Sequence, residues 1–425
     1  HRDVKLMRDL LHASELRGML NEYANRGDEQ RRTSETNLFY TENWLKALKG
    51  RHLALRDKNF FRQKVAAENV LRAKVNANPI WKKEYGKAWD EIAQAEDDLK
   101  KIYSQIKYID TSFESKLFGY ARELVRAAGE LPKPNEKRFR EWADSNLPQM
   151  KQELFSVAPI HNEFEIAMMS WMLTKVREIL TPDHPFVKKV LGEKAPMDLA
   201  QEMIKGTKLK DVELRKKLFD GGQKAIDASK DPMIQLATLL DPDSRAIRKK
   251  YEDDIEPRIK QNDEKVAKAH FAVYGGKNYP DATFTLRISY GAMKGYEDNG
   301  QFIKPETNIG GAFGRHTGRA PFALPDSWLK AKTALNLETQ MNIATTNDII
   351  GGNSGSPVIN KDAKVVGLVF DGNIQSLGGD FGFDERVNRA VSVSSAALIE
   401  ALDKVYGATR IVDDLRGATR SLSGK

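Results

Sequence analysis

Gly351-Gly352-Asn353-Ser354-Gly355-Ser356-Pro357-Val358 is the stretch on which the reading of this chain turns. Three glycines surround one serine, and a proline leads out. Glycine adopts backbone angles closed to other residues and lets a second chain approach closely. A serine hydroxyl is a weak nucleophile, needing a base for its proton and donors for the oxyanion that forms on attack. The amides of Gly352 and Ser354 are spaced to converge on one point as an oxyanion hole, with Ser354 as the nucleophile. Taken alone, Gly-x-Ser-Gly is more often an ordinary hairpin turn.

The sequence around it shifts that balance. Ser356 to Ile359 reads as a strand, Asn360-Lys361-Asp362-Ala363-Lys364 as a hairpin turn, and Val365 to Phe370 as a second strand. Loop, strand, turn and strand is the order found in the C-terminal barrel of a chymotrypsin-like fold. Thr283 to Tyr290 alternates with period two, Ala390 to Ser394 is a further strand, and Ala396 to Tyr406 closes the region as a helix.

Upstream of Tyr274-Gly275-Gly276 the period is helical. Between Leu6 and Tyr23, Leu10, Leu11, Leu16, Met19 and Leu20 are placed at spacings of three to five, as in a helix. A long helix is predicted from about Thr41 to Val75, stopped at Asn78-Pro79, and another from about Trp81 to Tyr108. Two long helices around a proline turn suggest an antiparallel pair. Asp241-Pro242-Asp243-Ser244 is expected to cap a last long helix reaching about Ala272. The fold class is therefore α+β. An all-helical domain, 1–272, precedes a C-terminal β-barrel of the chymotrypsin-like double-barrel type, 273–425, with a terminal helix.

Composition narrows the function. Cysteine is absent, which removes disulfides, thiol catalysis and cysteine-based zinc sites. No window approaches about 18 consecutive apolar residues, so no membrane-spanning helix is expected. The net charge of +8 is compatible with a nucleic-acid binder, but basic and acidic residues interleave as on solvated helix faces. His1-Arg2-Asp3 resembles a kinase catalytic-loop tripeptide, yet no glycine-rich loop or Asp-Phe-Gly follows it. Neither a metal nor a cofactor is called for, and neither nucleic acid nor membrane is an expected partner. The chain opens on amphipathic sequence without an initiator methionine or an apolar leader, so it is expected to be a piece of a longer protein.

The missing element is a base. Six of the seven histidines fall in or beside helical sequence. His316, in Gly314-Arg315-His316-Thr317-Gly318, is the one in a loop of the β half. In the chymotrypsin arrangement the histidine and aspartate precede the serine on a separate β-barrel, and no such barrel is predicted before Ser354.

Thr346 to Asn360 and Gly367-Leu368-Val369-Phe370-Asp371-Gly372-Asn373 resemble the bacterial dipeptidyl-peptidase 7 and 11 family of serine peptidases. Pro280 to Arg287, Tyr290-Gly291, Lys294-Gly295-Tyr296 and Glu42-Asn43-Trp44 to Gly50 support the resemblance. It implies an exported enzyme, periplasmic or secreted, that releases dipeptides from free peptide N-termini and forms a homodimer. It further implies a helical domain inserted between two barrels, with the catalytic histidine and aspartate on the N-terminal one. By the resemblance, Asp371 binds the substrate's α-ammonium, Asn43 contacts the same amine, and Gly372 leaves an open pocket for a hydrophobic residue before the cut. Ile374 departs from the tryptophan expected there. Two further readings stand beside this one: a non-catalytic module that holds peptide N-termini, and a basic helical nucleic-acid binder.

Overall fold

The computed structural model describes residues 2–277, 286–319 and 321–417. Internal contacts divide the chain into two compact units, His1–Leu45 with Val65–Lys277 and Lys46–Lys64 with Asn278–Lys425.

The first unit is helical. A π-helical turn, Arg2–Leu6, leads into α1 (Met7–Ala24), and the N-terminal part of α2 (Asp28–Arg56) follows. After α2 come α3 (Lys58–Ala77), which belongs to this unit from Val65 onward, α4 (Pro79–Tyr85), α5 (Ala88–Ile109) and α6 (Lys116–Glu130), followed by further helices to Tyr274. Apolar periodicity explains how α6 is buried. Leu117, Ala121, Leu124, Val125 and Ala128 share one face and enter the main core. Ser115 starts the helix by accepting from the Phe118 amide at 3.2 Å. Trp142, Met169, Leu173, Ile204 and Met233 complete the same core at 2% exposure or less. Each such burial contributes about 1.5–3 kcal/mol.

A buried polar network ties α6 to the Pro232–Asp254 helix. Arg126 Nη2 donates to Asp110 Oδ1 at 2.6 Å and to Ser244 Oγ at 3.0 Å. Its Nε reaches Asp241 Oδ1 at 3.4 Å, and Ser244 Oγ donates to Asp110 Oδ1 at 2.6 Å. Arg245 then joins Asp241 to the fully buried Glu130. Burial alone would raise the Asp110 carboxyl. The Arg126 charge, with hydrogen bonds from Ser244 and Arg126, outweighs burial and holds it below the usual carboxylate range.

This network explains one departure from the helical periodicity. Asp241-Pro242-Asp243-Ser244 does not start a helix: the Pro232–Asp254 helix runs through Pro242 and is capped by Asp231, which accepts from Met233 N at 3.0 Å. Asp241 and Ser244 bond to Arg126 and Asp110 instead of capping, and this anchoring offsets the interior proline's cost of about 3 kcal/mol. The break comes at Ile255, before the Glu256–Tyr274 helix. The helix expected over Thr41 to Val75 divides at Asp57, whose Oδ1 accepts from the Asn59 and Phe60 amides at 2.8 and 3.3 Å. That expected over Trp81 to Tyr108 divides at Gly86. The chief neighbour of α5 is the Glu256–Tyr274 helix rather than α3, which meets α5 through Arg72, paired with Asp90 at 2.6 Å.

The second unit carries two antiparallel sheets. β1 (Tyr296–Asp298) and β2 (Gln301–Ile303) form a ribbon closed at Asn299-Gly300, both at positive φ as a two-residue hairpin turn requires. The larger sheet contains β3 (Glu306–Asn308), β4 (Gln340–Thr345), β5 (Pro357–Ile359), β6 (Val365–Gly372) and β7 (Ala390–Ser394), ordered β3-β4-β7-β6-β5. Three of the four strands expected from sequence are present, and the hairpin turn at Asn360 to Lys364 joins β5 to β6. The fourth, Thr283 to Tyr290, is not formed as expected: residues 283–285 lie outside the described residues, and Leu286 to Tyr290 has no regular structure. Among the described residues the expected C-terminal β-barrel is an open five-stranded sheet. Its edges, β3 and β5, are three residues long and do not pair with each other. After β7 the chain turns into a helix from Ser395 that ends in the π-helical turn Ala401–Val405.

Because the folded Asp110 carboxyl titrates below its unfolded value, its stabilising contribution is complete above the unfolded pKa and is lost as pH falls through the folded one. Asp110→Asn should cost about 3 kcal/mol at neutral pH by leaving Arg126 short of its closest anion. It should also flatten the acid limb of stability. Urea unfolding followed at pH 7 and at pH 3 measures both effects.

Candidate active site

The loop after β4 folds as two linked turns pinned to β6. Asn353 anchors it: its amide donates to Ile350 O at 3.1 Å, its Oδ1 accepts from Ile350 N at 3.0 Å, and its carbonyl accepts from Ser356 N at 3.0 Å. Gly355 N donates to Val369 O at 2.7 Å, and Val369 N to Ser356 O at 3.0 Å. Gly352 and Gly355 have φ of 103° and 86°, a region that favours glycine. These bonds use the amides of Ile350, Asn353, Gly355 and Ser356. Among the described residues, the amides of Gly352 and Ser354 donate to no backbone acceptor. Ser354 is exposed. The loop thus presents a hydroxyl beside two uncommitted donors, the parts that acyl transfer requires.

No histidine is hydrogen-bonded to Ser354 among the described residues. His316 Nδ1 accepts from Leu324 N at 2.9 Å and so closes its own loop. Among the described residues no group of three or more histidine, cysteine or acidic side chains is placed to hold a metal, and no helix is long and apolar enough to cross a membrane.

Asp371 and Gly372 end β6. The pairing with β7 shifts between Val369 and Asp371, leaving Phe370 as the extra residue. A bulge of this kind re-aims the side chain that follows it. Asp371 Oδ1 accepts from Gly372 N at 2.8 Å, and its Oδ2 lies 3.0 Å from Lys46 Nζ. Asn373 secures the turn: its Oδ1 accepts from the Ser376 and Arg389 amides at 3.1 and 2.9 Å, and its Nδ2 donates to Val387 O at 2.7 Å. The space beside Gly372 is not open. A Cβ there would lie 2.1 Å from Ser376 Oγ and 3.4 Å from Arg389 O. The open pocket expected at Gly372 is thus filled, on the Cβ side, by a hydroxyl that donates to Asn373 O at 2.7 Å.

Arg389, at 1% exposure, is held by backbone carbonyls. Nε donates to Lys294 O at 2.8 Å, Nη1 to Glu385 O and Asn388 O at 2.8 and 2.7 Å, and Nη2 to Gly295 O at 2.6 Å. The guanidinium also lies 5.6 Å from the Tyr296 ring centroid. Burial lowers its pKa below the ordinary arginine value. This one side chain ties the Lys294–Gly295 segment and the 385–388 turn to the start of β7.

The C-terminal part of α2 belongs to the same unit and packs on the turn after β6. A Cβ on Gly50 would lie 2.4 Å from Leu377 Cβ, and one on Gly378 would lie 2.5 Å from Ala54 Cβ. Arg51 Nη2 pairs with Asp380 Oδ2 at 2.6 Å. Asn43 lies in the first unit, exposed on α2. Reading the sequence singled out Ser354, Gly352, Asp371 and Gly372, which the second unit carries, but it missed Lys46, Gly50 and Arg389. Lys46, Gly50 and Ala54 recur every fourth residue, so a small-residue face carrying one cation was there to be read. Nothing local marks Arg389, whose acceptors come from distant carbonyls. A cavity of about 840 Å³, lined in part by Ser115, Tyr120, Arg122, Glu123, Glu141 and Met150, lies wholly in the first unit and includes none of these residues.

The family model for Peptidase S46 matches residues 1–417, and the chain belongs to that family. It is 36% identical over 146 residues to dipeptidyl-peptidase 7 of Phocaeicola vulgatus, covering 32% of this chain and 20% of that protein. It is 25% identical over 366 residues to the Asp/Glu-specific dipeptidyl-peptidase of Shewanella putrefaciens, covering 76% of this chain and 49% of the relative. The chain thus spans half or less of these relatives' own length. The crystal structure of Porphyromonas endodontalis DPP11 with the dipeptide Arg-Glu superposes with a TM-score of 0.75 at 17% identity, covering 98% of this chain and 61% of that one. This last likeness is one of fold.

Gly50→Ala separates two opposing effects. Helix propensity alone would stabilise by about 1 kcal/mol, whereas overpacking against Leu377 costs about 1–3 kcal/mol. The expected outcome is net destabilisation with faster amide exchange over residues 374–380, relieved in part by Leu377→Gly, which removes the Cβ that the new methyl would meet. Amide exchange followed by mass spectrometry checks both.

Proposed function

We propose that this member of the Peptidase S46 family is the part of a serine dipeptidyl peptidase that supplies the nucleophile and the amine-recognising carboxylate. The carrying observation is the Ser354 loop, with an exposed serine beside two amides left out of its own hydrogen bonding. Ser354 attacks the scissile carbonyl, and the Gly352 and Ser354 amides receive the oxyanion. Asp371 Oδ2 takes the substrate's α-ammonium in a charge-assisted bond, which limits cleavage to peptides with a free N-terminus. Asn43 is the proposed second contact of that amine.

The general base and its aspartate come, in this reading, from sequence outside these 425 residues. The relatives' greater length supports that assignment, as does the lack of a histidine on Ser354 among the described residues. Residues 1–272 then act as the helical domain of a double-barrel peptidase and residues 273–425 as its C-terminal barrel half. Export to the periplasm or beyond and a homodimeric enzyme belong to the same proposal, resting on the family resemblance. Without its base, the chain alone would act as a module that binds peptide N-termini, which is the second reading the geometry favours.

A hydrophobic residue before the cut is the proposed preference. Gly372 provides no cation at that position, and the nearby Arg389 guanidinium is already held by carbonyls. An acidic side chain there would be buried without a partner, at a cost that disfavours it. Named relatives include Asp/Glu-specific dipeptidyl-peptidases.

On a fluorogenic dipeptidyl substrate with a hydrophobic second residue, the 425-residue chain should be inactive and the chain with its natural upstream sequence active. Ser354→Ala should abolish turnover, by ~10³-fold or more. Asp371→Ala should remove the advantage of a free over an acetylated N-terminus. Activity in the short chain that is lost in Ser354→Ala would contradict the missing-base reading. Gly372→Arg, made together with Ser376→Gly to clear the space, should shift preference toward acidic second residues by about tenfold; an unchanged preference would remove the pocket assignment.

A further inference from the structure

We propose that Lys46 reads the side chain of the substrate's N-terminal residue, favouring an acidic one and opposing lysine or arginine. The inference rests on the reading of Asp371 as the amine-binding acid. Asp371 Oδ1 is committed to the Gly372 amide, and Oδ2 is the oxygen that faces a cation. In the structure that cation is Lys46, whose ammonium sits 3.0 Å away. A peptide N-terminus is the same chemical group seeking the same oxygen. Two ammonium groups sharing it would lie within about 4–5 Å of one another and repel. The pair is half-exposed on both sides, at 52% and 43%, so it is weakly held and gives way to a bound substrate.

Where the displaced group goes is limited by the backbone. One turn further along α2, Gly50 lies against Leu377, Ala54 faces Gly378, and Arg51 pairs with Asp380. The Lys46 Cα therefore stays beside β6 while its four-carbon stem swings. The residue that bears the α-ammonium is the substrate's first residue, so its side chain is the nearest new neighbour of the released cation. A carboxylate there gains an ion pair to replace the one broken, whereas a second cation meets repulsion.

The test uses the chain with its natural upstream sequence and three fluorogenic dipeptidyl substrates that share a second residue and begin with Glu, Leu or Lys. In the unmodified protein KM should rise in the order Glu, Leu, Lys, with about threefold steps, the scale of a half-exposed pair. Lys46→Met should compress that spread and lower KM for the Leu substrate, because no internal ammonium then competes. Lys46→Glu should reverse the order. Asp371→Ala, assayed alongside on free and acetylated substrates, tests the underlying reading. If it leaves the free-N-terminus requirement intact, the amine site is misassigned and this inference falls with it. If that requirement is lost as expected but Lys46→Glu keeps the original order, only the role of Lys46 is overturned.

Discussion

The end of β6 is positioned by how closely a helix can approach it. Gly50 and Ala54 on α2 interlock with Leu377 and Gly378 in the following turn, and neither glycine has room for a side chain. Contact this close between near-backbone atoms cannot be relieved by rotating a side chain, so it fixes the helix against the turn. Lys46 and Arg51, on either side of Gly50, then meet Asp371 and Asp380 as a consequence. The ion pairs are half-exposed and would hold nothing in place by themselves. Packing sets the geometry, and electrostatics uses it.

The same division of labour separates the two buried arginines. Arg126 in the first unit is neutralised by Asp110 and Asp241 and links helices distant in sequence. Arg389 in the second unit is met by carbonyl dipoles alone among its hydrogen bonds, and it links loops. Carbonyls satisfy the guanidinium donors without cancelling the charge. Arg389 acts as a rigid cross-link between the Lys294–Gly295 segment, the 385–388 turn and the start of β7.

Much of this was legible in sequence where short-range chemistry decides the outcome. The Ser354 loop, the Asn360–Lys364 hairpin, β6 and β7 all follow from glycine, asparagine and β-branched patterning. The helical character of the first unit follows from apolar periodicity, clearest in α6. What was not legible depends on partners far away in the chain. Asp241-Pro242-Asp243-Ser244 has the composition of a cap, but its side chains are drawn to Arg126 and Asp110, and the helix continues through the proline. Asp57 stops α2 although apolar spacing carries on past it. Gly372 suggests open space, and only the fold reveals that Ser376 occupies it. Lys46 is an ordinary surface lysine until Asp371 is set beside it.

In the proposed reading, Ser354 is a nucleophile addressed through a substrate amine. A dipeptidyl aryl phosphonate reacts only with an activated serine, and peptide mapping by mass spectrometry locates the adduct. The chain with its natural upstream sequence should carry that adduct on Ser354, and acetylating the reagent's N-terminus should suppress it. An adduct on another residue, or equal labelling by the acetylated reagent, would exclude Ser354 as an amine-addressed nucleophile.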